Sequence, residues 1–390
     1  MKKVILFFTL LFSICFCFAL NVQGAVITSS SISPDSTVCI TVSPGGDDDT
    51  SVLRKIMTEN SSSPLSLTLS KGEYNLNATL PLYDNTTINA TGAVIKQVAN
   101  GKGILINANC LNGLGTPLGG YDSLKNVSIK GGTWVGKSKP DESKTLKDSG
   151  YYVGYSTFLF MHAENITIDG CSFKNNYNGH FIEFAGVNNA VVKNCNMALK
   201  GSVYVGEPSN EAIQIDNTFQ KSNSPVGAPW DDTPCKNISI TNCKIKYARG
   251  IGTNRVGNSF YQNIKIQKCN ITSANEGINI YDTLGVKIKN CTVKSTGKKD
   301  NYTSSGIYIG LDSKVKRIKE CNVTISENTV IGCHAGVKIC VPNNNTKFGT
   351  VQIKNNKLYS TKNKSKALVI TNKGKQITKL LIKGNALKKK

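Results

Sequence analysis

One short pattern recurs along most of this 390-residue chain and constrains its fold more than any other feature. It reads Asn, apolar, x, apolar, x, then Gly or Asn, then Cys or Asn, x, apolar. Copies run from Asn126 to Trp134, Asn165 to Phe173, Asn189 to Met197, Asn237 to Ile245 and Asn263 to Ile271. Others run from Gly285 to Val293, Asn322 to Val330, Thr350 to Leu358 and Lys379 to Leu387. The two-residue alternation marks short strands with one buried face. A single such unit cannot bury that face, so a repeat this frequent implies stacked coils. The anchor position reads Gly132, Cys171, Cys195, Cys243, Cys269, Cys291, Asn328, Asn356 and Asn385, with gaps of 39, 24, 48, 26, 22, 37, 28 and 29 residues. The short gaps are bare coils. The long ones carry inserted loops, where solenoids place function.

A second repeat precedes the first in each later coil. It reads Thr157 to Met161, His180 to Phe184, Glu211 to Ile215, Arg249 to Thr253, Glu276 to Ile280, Ser305 to Ile309 and Ala335 to Ile339. No Pro interrupts these strands, which suits interior strands of a parallel sheet. Strict alternation points Ile182, Ile213, Ile251, Ile278 and Ile307 into the core, with Glu183, Gln214, Asn279 and Tyr308 in one outward column. Ahead of the coils, Asp47-Asp48-Asp49 precedes Val52, Leu53, Ile56 and Met57 at helical spacing. Acidic residues suit a helix start, so a short amphipathic helix is expected to cap the stack.

Met1-Lys2-Lys3, the apolar run Val4 to Leu20 and small residues at Gly24-Ala25 read as a secretory signal peptide over residues 1–25. Residues 26–44 read as a linker or first strand, and 45–390 as one solenoid domain. No second apolar run is long enough to span a membrane, so no anchor is expected. Of 13 cysteines, Cys15 and Cys17 lie in the signal segment and five of the remaining eleven share the anchor position. A column of reduced, buried thiols packing rung on rung is expected rather than disulfides. This suits an exported protein of an anaerobic bacterium. The Asn-x-Ser/Thr triplets at Asn126, Asn165, Asn237, Asn270 and Asn322 coincide with the repeat, so a structural Asn turn column explains them without glycans.

The formal charge is +22, from 47 Lys and Arg against 25 Asp and Glu, with the excess late in the chain. It suits attraction to an acidic polymer such as a uronate polysaccharide, or to an anionic cell wall; the alternative is a basic surface with no specific partner. No nucleic-acid module is present, so nucleic acid is not expected as a partner. A monomer is expected.

Gly46-Asp47-Asp48-Asp49-Thr50 before the helix, Lys71-Gly72-Glu73-Tyr74, and the Asn-Ile-x-Ile-x-x-Cys-x-Phe rungs resemble the right-handed parallel β-helix proteins of the pectate lyase and polygalacturonase superfamily. The resemblance covers roughly residues 40–390 and implies that fold. The superfamily holds glycoside hydrolases, polysaccharide lyases, epimerases and phage tailspikes. The polygalacturonase signatures Asn-Thr-Asp, Gly-His-Gly and Arg-Ile-Lys do not occupy the corresponding rungs, and no pectate lyase calcium site is identifiable.

Ionisable and amide residues cluster on four consecutive coils. The outward columns read His180, Glu211, Arg249, Glu276, then Glu183, Gln214, Asn279, Tyr308, then Asp216, Asn254, Tyr281, with Arg255 and Asp282 beyond. The longest loops flank this block, and that from Asn217 to Lys236 holds Trp230-Asp231-Asp232. Glycosidic hydrolysis needs one carboxyl as acid and another as base or nucleophile, and Glu183, Glu211 and Asp216 are the candidates. Trp230 and Tyr281 are candidates to stack on sugar rings, with His180, Gln214, Asp231, Asp232, Asn254, Asn279 and Asp282 in the same groove. Arg249 and Arg255 suit substrate carboxylates. A polysaccharide-cleaving enzyme without cofactor is therefore expected. A lyase reading needs a base, from His180, Tyr281 or Arg249, and calcium if Asp216, Asp231, Asp232 and Asp282 converge. A non-catalytic glycan-binding protein is the third reading, in which a His-Glu-Arg-Glu column is a self-neutralising ladder. An outward carboxylate buries little, so Asp216→Asn is expected to leave folding unchanged.

Overall fold

The protein is described by a computed structural model covering residues 24–111, 113–137, 156–176, 179–199, 210–219, 229–254, 257–296, 305–311, 320–340, 347–362, 364–371 and 376–390. The expected signal segment up to Gln23, Arg255, and most of the three long loops lie outside these residues. No described helix is long and apolar enough to cross a membrane.

The chain winds as a right-handed parallel β-helix, three short strands to a coil. One coil is Ile278–Tyr281, Gly285–Lys289 and Thr292–Ser295. After the first strand, each strand pairs in parallel with its counterparts in neighbouring coils, and the described residues form sheets of 21 and 11 strands. The apolar members of both repeats fill a single core that runs the length of the stack. Ile182, Ile213, Ile251, Ile278 and Ile307 are fully buried in it, as alternation requires. Trp134, Phe158, Phe173, Phe181 and Tyr247 form a chain of ring contacts 4.8 to 5.8 Å apart through the lower coils. At the N-terminal end, Val26–Ile32 pairs antiparallel with Val38–Ser43, which in turn pairs in parallel with Leu65–Leu69. Helix α1 (Thr50–Glu59) buries Leu53, Ile56 and Met57. Asp49 does not cap it: its carboxylate accepts the Gly45 and Asn75 N–H groups, both at 2.9 Å, and so ties the helix start to the first coil.

Two side-chain ladders explain the repeat. The first residue of the pattern turns the chain with a left-handed backbone, at Asn126, Asn165, Asn189, Asn237 and Asn263, φ 55 to 60°. Asn tolerates that region and a branched residue does not. The amides also bond along the column, Asn126 to Asn85 at 2.9 Å, Asn165 to Asn126 at 2.9 Å and Asn189 to Asn165 at 2.7 Å.

The anchor column is the second ladder. Cys171, Cys195, Cys243, Cys269 and Cys291 are buried and unpaired. Each thiol lies 3.6 to 3.8 Å from a carbonyl of the coil below: Ile129, Ile168, Val192, Ile240 and Ile266. Where Asn replaces Cys the same carbonyl is kept. Asn328 Nδ2 donates to Ile288 O at 3.1 Å, Asn356 to Ile325 O at 3.0 Å and Asn385 to Ile353 O at 2.7 Å. Asn356 Oδ1 also accepts the Asn328 N–H and side-chain amide, both at 2.9 Å. Asn356→Ala would leave two or more buried polar groups unpartnered, and is expected to destabilise by about 3 kcal/mol. Cys243→Ala removes only a small packed thiol and is expected to cost about 1 kcal/mol. Urea unfolding of the two variants checks the order.

Candidate functional site

The outward face of the first strand in each coil is set by register. Glu183, Gln214, Gly252, Asn279, Tyr308 and Lys338 pair successively as one column. The column continues downward through Leu159 to Ile106. Beside it runs a second, in which Met161 pairs with Ala185 and Ala185 with Asp216. The lower part of this face is apolar: Ile106, Cys110, Leu159, Met161 and Ala185 form a separate buried cluster outside the main core. The carboxylates therefore begin where an apolar patch ends.

That setting buries them. Glu183, Glu211 and Asp216 are only 6, 5 and 4 % exposed, so the outward face here is not a wet one. This corrects the expectation that an outward carboxylate buries little. Glu183 accepts a hydrogen bond from the Ser156 hydroxyl. Asp216 Oδ1 accepts the Gln214 side-chain amide at 2.5 Å. Desolvation raises the carboxyl pKa of Glu183. Asp216 is pushed well above the usual range, by burial first and then by the nearby Glu183 charge; the Gln214 and Asn254 side chains oppose this. Burial also pushes Glu211 up, to about 7, against the pull of Arg249.

The Glu211 column is a ladder. Arg249 lies between two carboxylates, 3.3 Å from Glu211 and 3.2 Å from Glu276. A guanidinium so engaged is not aimed at a substrate carboxylate, as the sequence suggests, and holds Glu211 in place instead. Gly252 makes room for this: a Cβ there would stand 2.7 Å from Glu211 Cγ. His180 Nδ1 faces the Glu211 carbonyl at 2.7 Å. The carbonyl can only accept, so Nδ1 carries the proton and Nε2 the lone pair. Desolvation lowers the His180 pKa, which favours that neutral ring.

Tyr281 and Tyr308 pack against each other above this cluster, tilted by 48° with centroids 5.3 Å apart. Gly310 beside them is required, since a Cβ would come within 2.8 Å of the Tyr308 ring and 3.0 Å of Tyr281. Lys338 Nζ lies 5.6 Å from the Tyr308 centroid. Asn279 is buried next to the pair, in the first column.

The Trp230-Asp231-Asp232 segment has a different role from the one expected. Asp231 accepts from Gly120 N at 2.8 Å, Thr218 Oγ1 at 2.6 Å and Thr233 N at 3.1 Å, bonds that hold its carboxyl down at about 2 against the cost of burial. Asp232 accepts from Asn217 Nδ2 at 2.7 Å and Asn258 N at 2.8 Å. His162 lies beneath, its ring nitrogens each 2.9 Å from the Gly120 and Pro229 carbonyls. These bonds make residues 229–233 a strap across the coil edge, with Trp230 45 % exposed on its outside. Among the described residues no group of three or more His, Cys, Asp or Glu is placed to hold a metal ion.

Three contributors carry no motif. Tyr261 is buried with Asp216, Cys235 and Asp282 near its phenol, after desolvation the causes that raise it. Cys235 Sγ lies 3.1 Å from the Asp216 carbonyl. Ser156 reaches Glu183 from outside the repeat. Cys235 and Tyr261 occupy the same repeat position on adjacent coils, two residues before Asn237 and Asn263, but nothing in that position marks them as neighbours of Asp216.

No protein-family model matches the chain, and no curated protein sequence matches it. Solved structures do. PfbA, a surface adhesin of Streptococcus pneumoniae, superposes with a TM-score of 0.61 at 18% identity, over 88% of this chain and 89% of that one. A second structure of PfbA gives 0.61 at 18% identity, over 89% of this chain and 96% of that one. An exopolygalacturonase from Thermotoga maritima aligns at 0.49 and 13% identity, over 92% of this chain and 94% of that one. The chain shares its parallel β-helix fold with PfbA. At such identities the likeness is one of fold, and the chemistry rests on this chain's own residues.

Asp216 also gives a stability test. Its folded pKa stands well above its ordinary value of 3.8, so its favourable contribution is complete below that value and is lost as pH rises through the folded pKa. Asp216→Asn removes the ionisation. Its melting temperature is expected above wild type at pH 8, with the difference closing as pH falls toward 4. A variant less stable than wild type at pH 8 would contradict the desolvation argument.

Proposed function

We propose that this protein is an exported enzyme that hydrolyses glycosidic bonds of an acidic polysaccharide. The observation carrying the reading is the neighbouring pair of buried carboxylates, Glu183 and Asp216, on adjacent coils of one sheet face. Two acids that repel each other in a desolvated site do not both ionise near neutrality. Asp216, pushed up by burial and by Glu183, is the proton donor to the leaving oxygen. Glu183, steadied by Ser156, is the base that activates water. Glu211 is a positioning residue, fixed by Arg249 and by the His180 contact to its carbonyl. Tyr281 and Tyr308 offer ring faces on which a sugar can stack.

For a β-elimination reading, Arg249 is unsuited as base because two carboxylates engage it, which leaves His180 through Nε2 and Tyr281. A second reading, glycan binding without turnover, is favoured by one observation: the Glu211-Arg249-Glu276 ladder neutralises much of the cluster internally.

Purified protein incubated with acidic and neutral polysaccharides separates these. Hydrolysis releases reducing ends without new ultraviolet absorbance, elimination gives both, and binding alone gives neither. Asp216→Asn and Glu183→Gln are each expected to lower turnover at least about a hundredfold, the scale of losing one acid or base. The wild-type rate should fall as pH rises through the Asp216 pKa, because the donor is then lost. Full activity in either variant would refute the assignment.

A further inference from the structure

From Asn328 to Lys390 the chain holds fourteen lysines and no Asp or Glu. No arginine occurs there either. The fold collects part of this charge on one corner of the coil, the one between the second and third strands. The carboxylate face is on the first strand.

One column along that corner can be followed through the register. Lys130, Asp169, Lys193, Thr241, Gln267, Lys289, Ser326, Lys354 and Lys383 pair in succession. Its lower part is neutralised. Lys193 lies 3.3 Å from Asp169, and Lys289 lies 3.2 Å from Glu327 across the turn. Its upper part is not: Lys354 stands directly opposite Lys383. Like charges opposed in neighbouring strands destabilise a sheet. Asn355 and Gly384 turn the chain here with φ of 56 and 67°. The tight turn brings Lys357, on the third strand, to the same corner as Lys354, and Lys388 follows in the next coil opposite Tyr359. Lys357, Lys383 and Lys388 are exposed, and among the described residues none of the four forms an ion pair.

We propose that this corner is a docking surface for an acidic polysaccharide, lying lengthwise along the β-helix axis. The coils rise about 4.8 Å each, close to the length of one sugar unit in an extended chain. A polymer with one carboxylate per sugar thus meets the lysine column at its own repeat. Lysine presents a compact hydrated charge rather than a fork. The surface therefore holds a polymer by summed charge and does not select single groups. It retains the protein on its polymer while the carboxylate face does the chemistry. The choice of polymer rests on the function proposed above; the unneutralised column does not.

The test uses the full chain and the variant Lys354→Gln/Lys357→Gln/Lys383→Gln/Lys388→Gln, with cross-linked polygalacturonate as probe. Wild type is expected to be retained at low salt and released as salt screens the charges, and the variant to be held at least about tenfold more weakly. Its melting temperature should be no lower than wild type, since a like-charge contact is removed. Reducing-end release from short soluble galacturonate fragments should be unchanged. Equal retention of variant and wild type would overturn the proposal. So would equal retention of wild type on neutral galactan. Absence of any turnover would count against the hydrolase reading alone, because retention is measured without it.

Discussion

Every feature of this molecule depends on parallel coils stacking at the strand spacing with one residue directly above another. The backbone ladder enforces that register, and the register turns a repeat in sequence into columns in space. A side chain at a given position then meets only its counterparts above and below. The column beneath the turn illustrates the constraint. A thiol in five coils and an amide in the next three reach toward the equivalent carbonyl of the coil below. The two side chains differ in chemistry, yet each supplies a weak or strong donor of suitable length, so the column tolerates both.

The same register concentrates charge where the outer face is covered. Apolar residues on two columns give way abruptly to Glu183 and Asp216, and the apolar patch dries the carboxylates next to it. Desolvation then outweighs the hydrogen bonds each acid accepts, which is why their pKa values rise although both are bonded. Arg249 pairs with both Glu211 and Glu276, and burial still pushes Glu211 up. The site thus contains two kinds of buried acid: a pair raised by burial, Asp216 further by the Glu183 charge, and a pair held by a shared guanidinium. A difference of environment between chemically equal groups is the physical basis for giving them different roles.

Much of the site was legible because it is periodic. Glu183, Gln214, Asn279 and Tyr308 share a column by count alone, and the inward isoleucines follow by alternation. Asp216 beside Glu183 follows from the same count. What counting could not reach was anything held by a non-repeating segment. Ser156 reaches Glu183 from outside the repeat, and Tyr261, though in register with Cys235, carries no sequence sign of its nearness to Asp216. Asp231 and Asp232 look like cleft carboxylates because they sit beside a tryptophan, but backbone N–H groups claim them. Arg249 reads as a substrate anchor from its type, and only its position between two acids gives it a structural partner on each side.

The amino-acid sequence by itself determined the parallel β-helix, the core columns, the left-handed Asn turns and the reduced cysteine stack. All of these follow from alternation and stacking, which are local rules repeated. The tertiary structure alone decided which outward residues are dry, which charges are already paired and where the strap closes. Burial of an outward side chain depends on what folds over it from a distant part of the chain, and a periodic pattern holds no information about that.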